Sequence, residues 1–369
     1  MKRVLLLLDG TVLFGRERGN IDVLQHLNEQ GFSVMVAVHD HWGRQHIVPH
    51  LKSLDIPWCE LDFYDRLGRD TTLFQWLIAV LVIAKANVQL ALRLLRTPTS
   101  ALQISNPETL LNFLPLLWLI RKTLILRCGD TPASHTAAHR WLWRVCFRRV
   151  NRVVAISEHI AGRLRELGCP EKKLTIIWSR PFNRQPSTVR RFPAERAGPV
   201  FGFMGQLERH KGIDHLLEAC AALHDEGVEF TLRVAGRPGE CWQALAKRYE
   251  AAPWLFFEGF VDDAASFYAG IDLLVVPSVF EEGLGAVVIE AKKAGVASLV
   301  YPRGGLPELI SPEIDGLICE TPEVASLLVA LRQLSEAPSK LAAMGEAARR
   351  SSRDIEQAFE AGWSSVYAL

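Results

Sequence analysis

The chain has 369 residues, 49% hydrophobic and 22% charged, a balance that excludes an extended disordered protein and exceeds what one ordinary core organises. Its formal net charge is only +1, yet residues 1–198 hold 28 Lys and Arg against 16 Asp and Glu, and residues 199–369 hold 14 against 25. A basic half beside an acidic half implies either an anionic partner for the first or mutual attraction between the two.

Seven cysteines without a Cys-x-x-Cys pair fit a reducing compartment better than a disulfide framework. Residues 4–8 are a short apolar run ending at Asp9, which reads as a first buried strand and not as a signal peptide. A loop with Gly15 and Gly19, a helix near 21–30 and a strand at 33–38 follow, the alternation of a doubly wound α/β unit.

Residues 73–95 are strongly apolar, but only 76–84 are unbroken; Lys85, Asn87, Gln89 and Arg93 interrupt the rest. That pattern predicts a buried or interfacial helix instead of a membrane span. Strands at 123–126, 152–156 and 174–178 and helices at 137–150 and 157–167 continue the alternation, with Ser157 placed to cap the second helix. Arg140, Arg144 and Arg148 recur at four-residue spacing among Trp141, Trp143 and Phe147. Such a helix is compatible with an anionic bilayer and equally with a solvated basic face.

Residues 180–199, with four prolines and five arginines, read as a linker. A second α/β unit begins with a strand at 200–204 and runs to about residue 345, and a helix at 353–367 ends the chain. The domains are therefore expected at 1–190 and 191–350, with a terminal helical segment at 351–369.

The most informative stretch is 277–305. An apolar run at 271–276 reads as a buried parallel strand and 286–294 as a helix, with Glu282, Gly283, Leu284 and Gly285 between them. This loop brings free backbone N–H groups to a helix N-terminus, an anion site that suits phosphate. Glu282 before the helix and Glu290 a turn into it suit the hydroxyls at the two ends of a sugar nucleotide.

The Glu282-x7-Glu290 spacing, the Gly283-Leu284-Gly285 loop and the following Gly304-Gly305-Leu306-Pro307-Glu308 resemble the donor-site signature of the group 1, or family 4, retaining glycosyltransferases. Gly205-Gln206-Leu207-Glu208-Arg209-His210-Lys211-Gly212 resembles a second loop of that family. The resemblance implies the GT-B fold, an α/β architecture of two Rossmann-like doubly wound domains facing a cleft, with the last helix crossing back to the first. It implies an acceptor-binding first domain and a second that binds a nucleotide diphosphate sugar. Lys211 would meet the diphosphate, Glu282 the sugar hydroxyls, Glu290 the nucleotide ribose, and Leu284 and Gly285 would offer amides. Gly205 suits the tight turn before Lys211.

The chain departs from the family where Gln206 replaces a phosphate-binding arginine, with Arg209 as a possible substitute. In the first domain, Arg127-Cys128-Gly129-Asp130 stands where the family often carries a His or an Asp. Asp130 is the candidate acceptor ligand or weak base, an exposed turn aspartate being the alternative. Gly15, Arg16 and Arg18 are candidates for a loop near the leaving group and acceptor. His135 and His139, four apart on a helix, have no third metal ligand in the sequence pattern. Without an Asp-x-Asp triplet, no essential metal and no bound cofactor are expected.

The resulting expectation is sugar transfer, with retained configuration, to a hydroxyl of a glycan or lipid-linked acceptor in surface polysaccharide or glycolipid synthesis. A cytoplasmic enzyme, peripheral on the inner face of the membrane, with no nucleic-acid partner, fits that reading. The alternatives are a sugar-nucleotide epimerase or phosphorylase on the same scaffold, and a non-catalytic protein binding an anionic surface or polymer.

Overall fold

The computed structural model describes residues 2–10, 12–13, 15–39, 42–63, 73–181, 198–261 and 263–368. Two compact units divide the chain: Met1–Ile177 with Glu360–Leu369, and Trp178–Phe359. The expected boundary at residue 190, and most of the linker around it, lie outside the described residues.

The first unit runs β1 (Arg3–Leu8), α1 (Gly15–Glu29), β2 (Ser33–His39), α2 (Trp42–His46), α3 (Val48–Ser53), β3 (Trp58–Leu61) and α4 (Leu73–Arg96). It continues with β4 (Ala101–Ile104), α5 (Pro107–Leu119), β5 (Thr123–Cys128), α6 (Ala137–Arg149), β6 (Arg152–Ala155), α7 (Glu158–Glu166) and β7 (Leu174–Ile176). Its strands form one sheet in the order β3-β2-β1-β4-β5-β6-β7, and every pairing is parallel.

A parallel sheet covered on both faces needs unbroken apolar strands. β1 supplies one, with Val4 to Leu8 buried and Leu6 facing Val36 on one side and Gln103 on the other. Right-handed crossovers put α4, α5 and α6 on one face of this sheet and α1 on the opposite face. The cap expected at Ser157 is present, its side chain accepting from the Ile160 amide at 3.1 Å.

The 73–95 segment forms one continuous helix, and two of its supposed interruptions, Asn87 and Gln89, are tied to neighbouring elements, while Lys85 stays exposed. Asn87 Nδ2 donates to Asn112 O at 2.7 Å and Asn87 Oδ1 accepts from Leu116 N at 3.2 Å. Those two groups flank Pro115 inside α5, where a proline strains the ladder of helical hydrogen bonds. Gln89 Oε1 accepts from Asp62 N at 3.1 Å.

Gly15 and Gly19 lie in α1, not in a loop. A side chain at Gly19 would meet the Arg127 guanidinium at 2.5 Å, so the close approach of α1 to β5 accounts for this glycine.

The second unit runs β8 (Val200–Met204), α8 (Ile213–Asp225), β9 (Thr231–Ala235), α9 (Trp242–Arg248), β10 (Leu255–Gly259), α10 (Ala264–Ala269), β11 (Leu273–Val276) and α11 (Ala286–Ala294). After these come β12 (Ala297–Val300), β13 (Gly316–Ile318), α12 (Val324–Ser335) and α13 (Pro338–Tyr367). The sheet is parallel, in the order β10-β9-β8-β11-β12-β13. Phe201, Leu232, Leu273 and Leu299 lie in its buried core.

The last helix begins at Pro338, earlier than its apolar spacing indicated, and is counted with the first unit from Glu360 onward. There Tyr367 Oη donates to Gln103 Oε1 at 2.6 Å, and Gln103 Nε2 donates to Asn20 Oδ1 at 2.8 Å. This buried chain ties α13 to β4 and α1.

Candidate functional site

The strand order of the second unit reverses between β8 and β11, and in open α/β sheets ligands bind outside the carboxyl ends of the strands at that point. Two loops start there. One leaves β8 at Gly205 and makes a 3-10 turn at Arg209–Lys211; the other leaves β11 at Pro277 and ends at α11. His210 O accepts from Val279 N at 3.0 Å, which joins them.

Glycine is required at two places in this arrangement. Gly212 has φ +72°, and a side chain there would strike Pro277 O at 1.9 Å; Gly304 has φ +58°, and a side chain would strike Glu282 O at 2.1 Å. Gly305 N donates to the same Glu282 oxygen at 2.8 Å. Three loops therefore meet by their backbones around Glu282.

Lys211 and Glu282 are brought into contact. Lys211 Nζ lies 2.8 Å from Glu282 Oε1, and Ser278 Oγ donates to that oxygen at 2.8 Å. The ammonium also stands 4.4 Å from the centre of the Phe280 ring, a favourable cation–π distance. Both charged side chains are partly buried, so solvent screens the pair only in part.

Gly285 is the N-cap of α11 and its carbonyl accepts from Val288 N at 3.0 Å, which leaves the Ala286 and Val287 amides at the helix tip without an i−4 partner in the helix. Leu284 is buried, while Gly283 and Gly285 are partly accessible. Glu290 stands one turn into α11, where its Oε2 accepts from Tyr268 Oη at 3.0 Å. Gly205 N donates to Ala235 O at 3.1 Å, holding the tip of β8 beside β9.

Gln206 and Arg209 are exposed. Arg303 is a residue that sequence reasoning passed over: its Nε is buried without a hydrogen-bond partner among the described residues. It precedes Gly304 in the turn that rests on Glu282. Ser278, Phe280 and Tyr268 were also missed as site residues, because pattern and spacing carry no record of which side chains orient a carboxylate or a lysine.

The first unit has its own strand reversal, between β1 and β4. Asp9, just past β1, accepts from Ser105 Oγ at 3.2 Å and from Asn106 Nδ2 at 2.8 Å. Arg16 lies 2.8 Å from Glu17 and 3.7 Å from Asp130. Burial pulls the Arg16 guanidinium down, but Glu17, Asp9 and Asp130 outweigh it and hold Arg16 above its ordinary range.

Arg127 is fully buried. Burial brings its pKa to about 10, against the opposing pull of Asp22 and Asp130. Of the first-unit candidates, Arg16 and Asp130 come together. Asp130 is mostly exposed, Gly15 opens α1, and Arg18 is exposed on the same helix. Asp9 and Asn106 went unnoticed in the sequence, since a lone Asp after a strand and an Asn before a helix also read as turn and cap.

The His135 and His139 rings lie 4.7 Å apart, and His139 Nδ1 shares a hydrogen bond with Thr136 Oγ1 at 2.6 Å. Among the described residues no group of three or more His, Cys, Asp or Glu is arranged to hold a metal ion.

Such an arrangement, with a lysine, two acids and a glycine-lined helix tip at a strand reversal, can neutralise a diphosphate and accept from sugar hydroxyls. The family described as Glycosyl transferases group 1 matches residues 187–351. Residues 187–351 are thus a group 1 glycosyltransferase segment, and the chain's two parallel-sheet units have the Rossmann-like GT-B fold.

Among similar proteins is the 2-deoxystreptamine glucosyltransferase of Streptomyces kanamyceticus, 29% identical over 231 residues, which are 58% of each chain. The D-inositol 3-phosphate glycosyltransferase of Streptomyces coelicolor is 32% identical over 45% of this chain and 38% of its own length. The chain thus spans about half the length of the relatives it matches. The solved structure of Anabaena HepE in complex with UDP and glucose has a TM-score of 0.77 at 17% identity and covers 100% of both chains. That of WaaG, a glycosyltransferase involved in lipopolysaccharide biosynthesis, has a TM-score of 0.68 at 15% identity, over 99% of this chain and 100% of WaaG.

Proposed function

We propose that this protein transfers a sugar, with retained anomeric configuration, from a nucleotide diphosphate donor to a hydroxyl of a glycan or lipid-linked acceptor in polysaccharide or glycolipid synthesis. The observation that carries the reading is the Lys211–Glu282 contact at the β8/β11 reversal, beside the N-terminus of α11. UDP-sugars are the first donors to test, because the Anabaena structure was solved with UDP and glucose.

In this reading the anomeric C–O bond to the diphosphate breaks while the acceptor oxygen bonds the same face of the sugar. The acceptor proton passes to the departing phosphate oxygen. Lys211 and the free amides of α11 meet the charge that develops on that phosphate. One preorganised donor of this kind is worth about 3–4 kcal/mol of barrier.

Glu282, held by Ser278, stays in place when Lys211 turns to the phosphate, and accepts from the sugar hydroxyls. Glu290, oriented by Tyr268, accepts from the ribose. Arg303 supplies the positive charge that Gln206 lacks. No cofactor is required for these steps.

The test is a thermal-shift series with nucleoside diphosphates on the native chain, Lys211→Ala and Glu290→Ala. A ligand that binds the folded state raises its melting point. The expected result is a shift with UDP that shrinks in both variants; an equal shift in all three proteins would overturn the site.

A further inference from the structure

We infer that the first unit docks on an anionic phospholipid surface through the outer face of α4, α5 and α6. The exposed side of α4 is apolar at helical spacing: Leu77, Leu81, Val88, Leu92 and Leu95 project outward, Leu81 at 69% and Leu95 at 80% exposure. The opposite side buries Ala79, Ala86 and Leu90. A helix that faces water normally carries polar residues on its outer side, so this one has an apolar surface that nothing among the described residues covers.

The patch continues onto the neighbouring helix. Leu111, Trp118 and Leu119 are exposed on α5, Leu119 at 82%. Arg149 of α6 donates to the carbonyls of Leu117, Ile120 and Lys122 at the end of α5. This clamp holds the end of α6 beside the end of α5. The exposed stripe of α6 is then Arg140, Trp141, Arg144 and Arg148, and Arg121 lies exposed just past α5. Apolar residues beside a row of arginines, with aromatic side chains between them, fit the headgroup and upper acyl region of a bilayer bearing negative charge.

Leu77–Arg96 is long and apolar enough to cross a membrane, with a mean hydropathy of 1.8. Its polar residues argue for lying on the surface instead. Asn87 and Gln89 are hydrogen-bonded to α5 and to the segment after β3, and Lys85 pairs with Asp62 at 2.7 Å. A spanning helix would have to give up these bonds, whereas a helix in the plane of the interface keeps them and buries its apolar side.

The experiment is co-sedimentation of the full chain with vesicles of phosphatidylglycerol and phosphatidylcholine, or of phosphatidylcholine alone. We expect pelleting with the anionic vesicles that weakens in about 1 M salt, where charges are screened within a few ångströms. Arg140→Gln/Arg144→Gln/Arg148→Gln should lower the partition coefficient on the order of a hundredfold at low salt, from about one basic contact per arginine. Leu81→Gln/Leu92→Gln, at exposed positions that leave the fold intact, should lower it at least tenfold at any salt.

The proposal is overturned if the native chain stays in the supernatant with anionic vesicles. It is overturned equally if the leucine variant pellets like the native chain. It also fails if the native chain self-associates without binding vesicles and the leucine variant is monomeric, which would make a second copy the occupant of the face.

Discussion

The Tyr268 hydroxyl donates to Glu290 Oε2 at 3.0 Å from a fully buried position. Burial, and then the charge of Glu290, hold this phenol protonated well above its ordinary range. Tyr268 is therefore a permanent donor that fixes one carboxylate oxygen of Glu290. Tyr268→Phe should raise KM for the donor about three- to tenfold, the net worth of one ordinary hydrogen bond, and leave kcat within about twofold. Glu290→Gln should cost more in KM. Initial-rate kinetics with varied donor separate the two effects.

Removing the charge from Lys211 tests leaving-group stabilisation. Lys211→Met keeps much of the packing on Phe280 and leaves Glu282 its bond from Ser278. The expected loss is about 10²–10³-fold in kcat, followed as nucleoside diphosphate release. A loss below about threefold would remove Lys211 from the chemistry.

Arg303 and Arg209 compete for the role that Gln206 leaves open. Arg303 has a buried Nε without a partner among the described residues, in the turn against Glu282, and Arg209 is exposed. Arg303→Gln should weaken nucleoside diphosphate binding about tenfold or more, and Arg209→Gln by less than about twofold. Isothermal titration of both variants decides between them; the reverse ranking would assign the charge to Arg209.

Behind the site, Lys292 of α11 pairs with Asp315 in the core, and both are almost wholly buried. Lys292→Met leaves Asp315 charged with one partner fewer and should cost about 3–5 kcal/mol. The double variant Lys292→Met/Asp315→Leu should recover part of that loss. Urea denaturation of the three proteins measures both values.

The second unit's candidate site is proposed from signals that are local in the sequence. Val200–Met204 is an uninterrupted apolar strand, and α11 is bracketed by Gly285 and Gly295, both with positive φ. Glu282 and Lys211 could be paired from motif resemblance, although they are 71 positions apart. The first unit was harder. Asn87 and Gln89 looked like breaks in an apolar run, because sequence does not tell which side of a helix its polar residues face. Gly15 and Gly19 looked like loop residues for a related reason, since the Arg127 side chain that demands space at Gly19 comes from a strand far along the chain. The orienting partners Tyr268 and Ser278, and Arg303, depend on packing between loops and leave no periodic trace.

The last helix has a consequence for biosynthesis. Trp363 and Tyr367 are fully enclosed side chains of the first unit, yet they are translated after the whole of the second. A ribosome must therefore deliver residues 178–359 before the earlier half can close around these two rings. A chain halted at Phe359 would leave Gln103 without the Tyr367 hydroxyl and a void where two aromatic rings belong. Nascent first units should accordingly remain loosely packed, and dependent on chaperones, until synthesis is nearly finished.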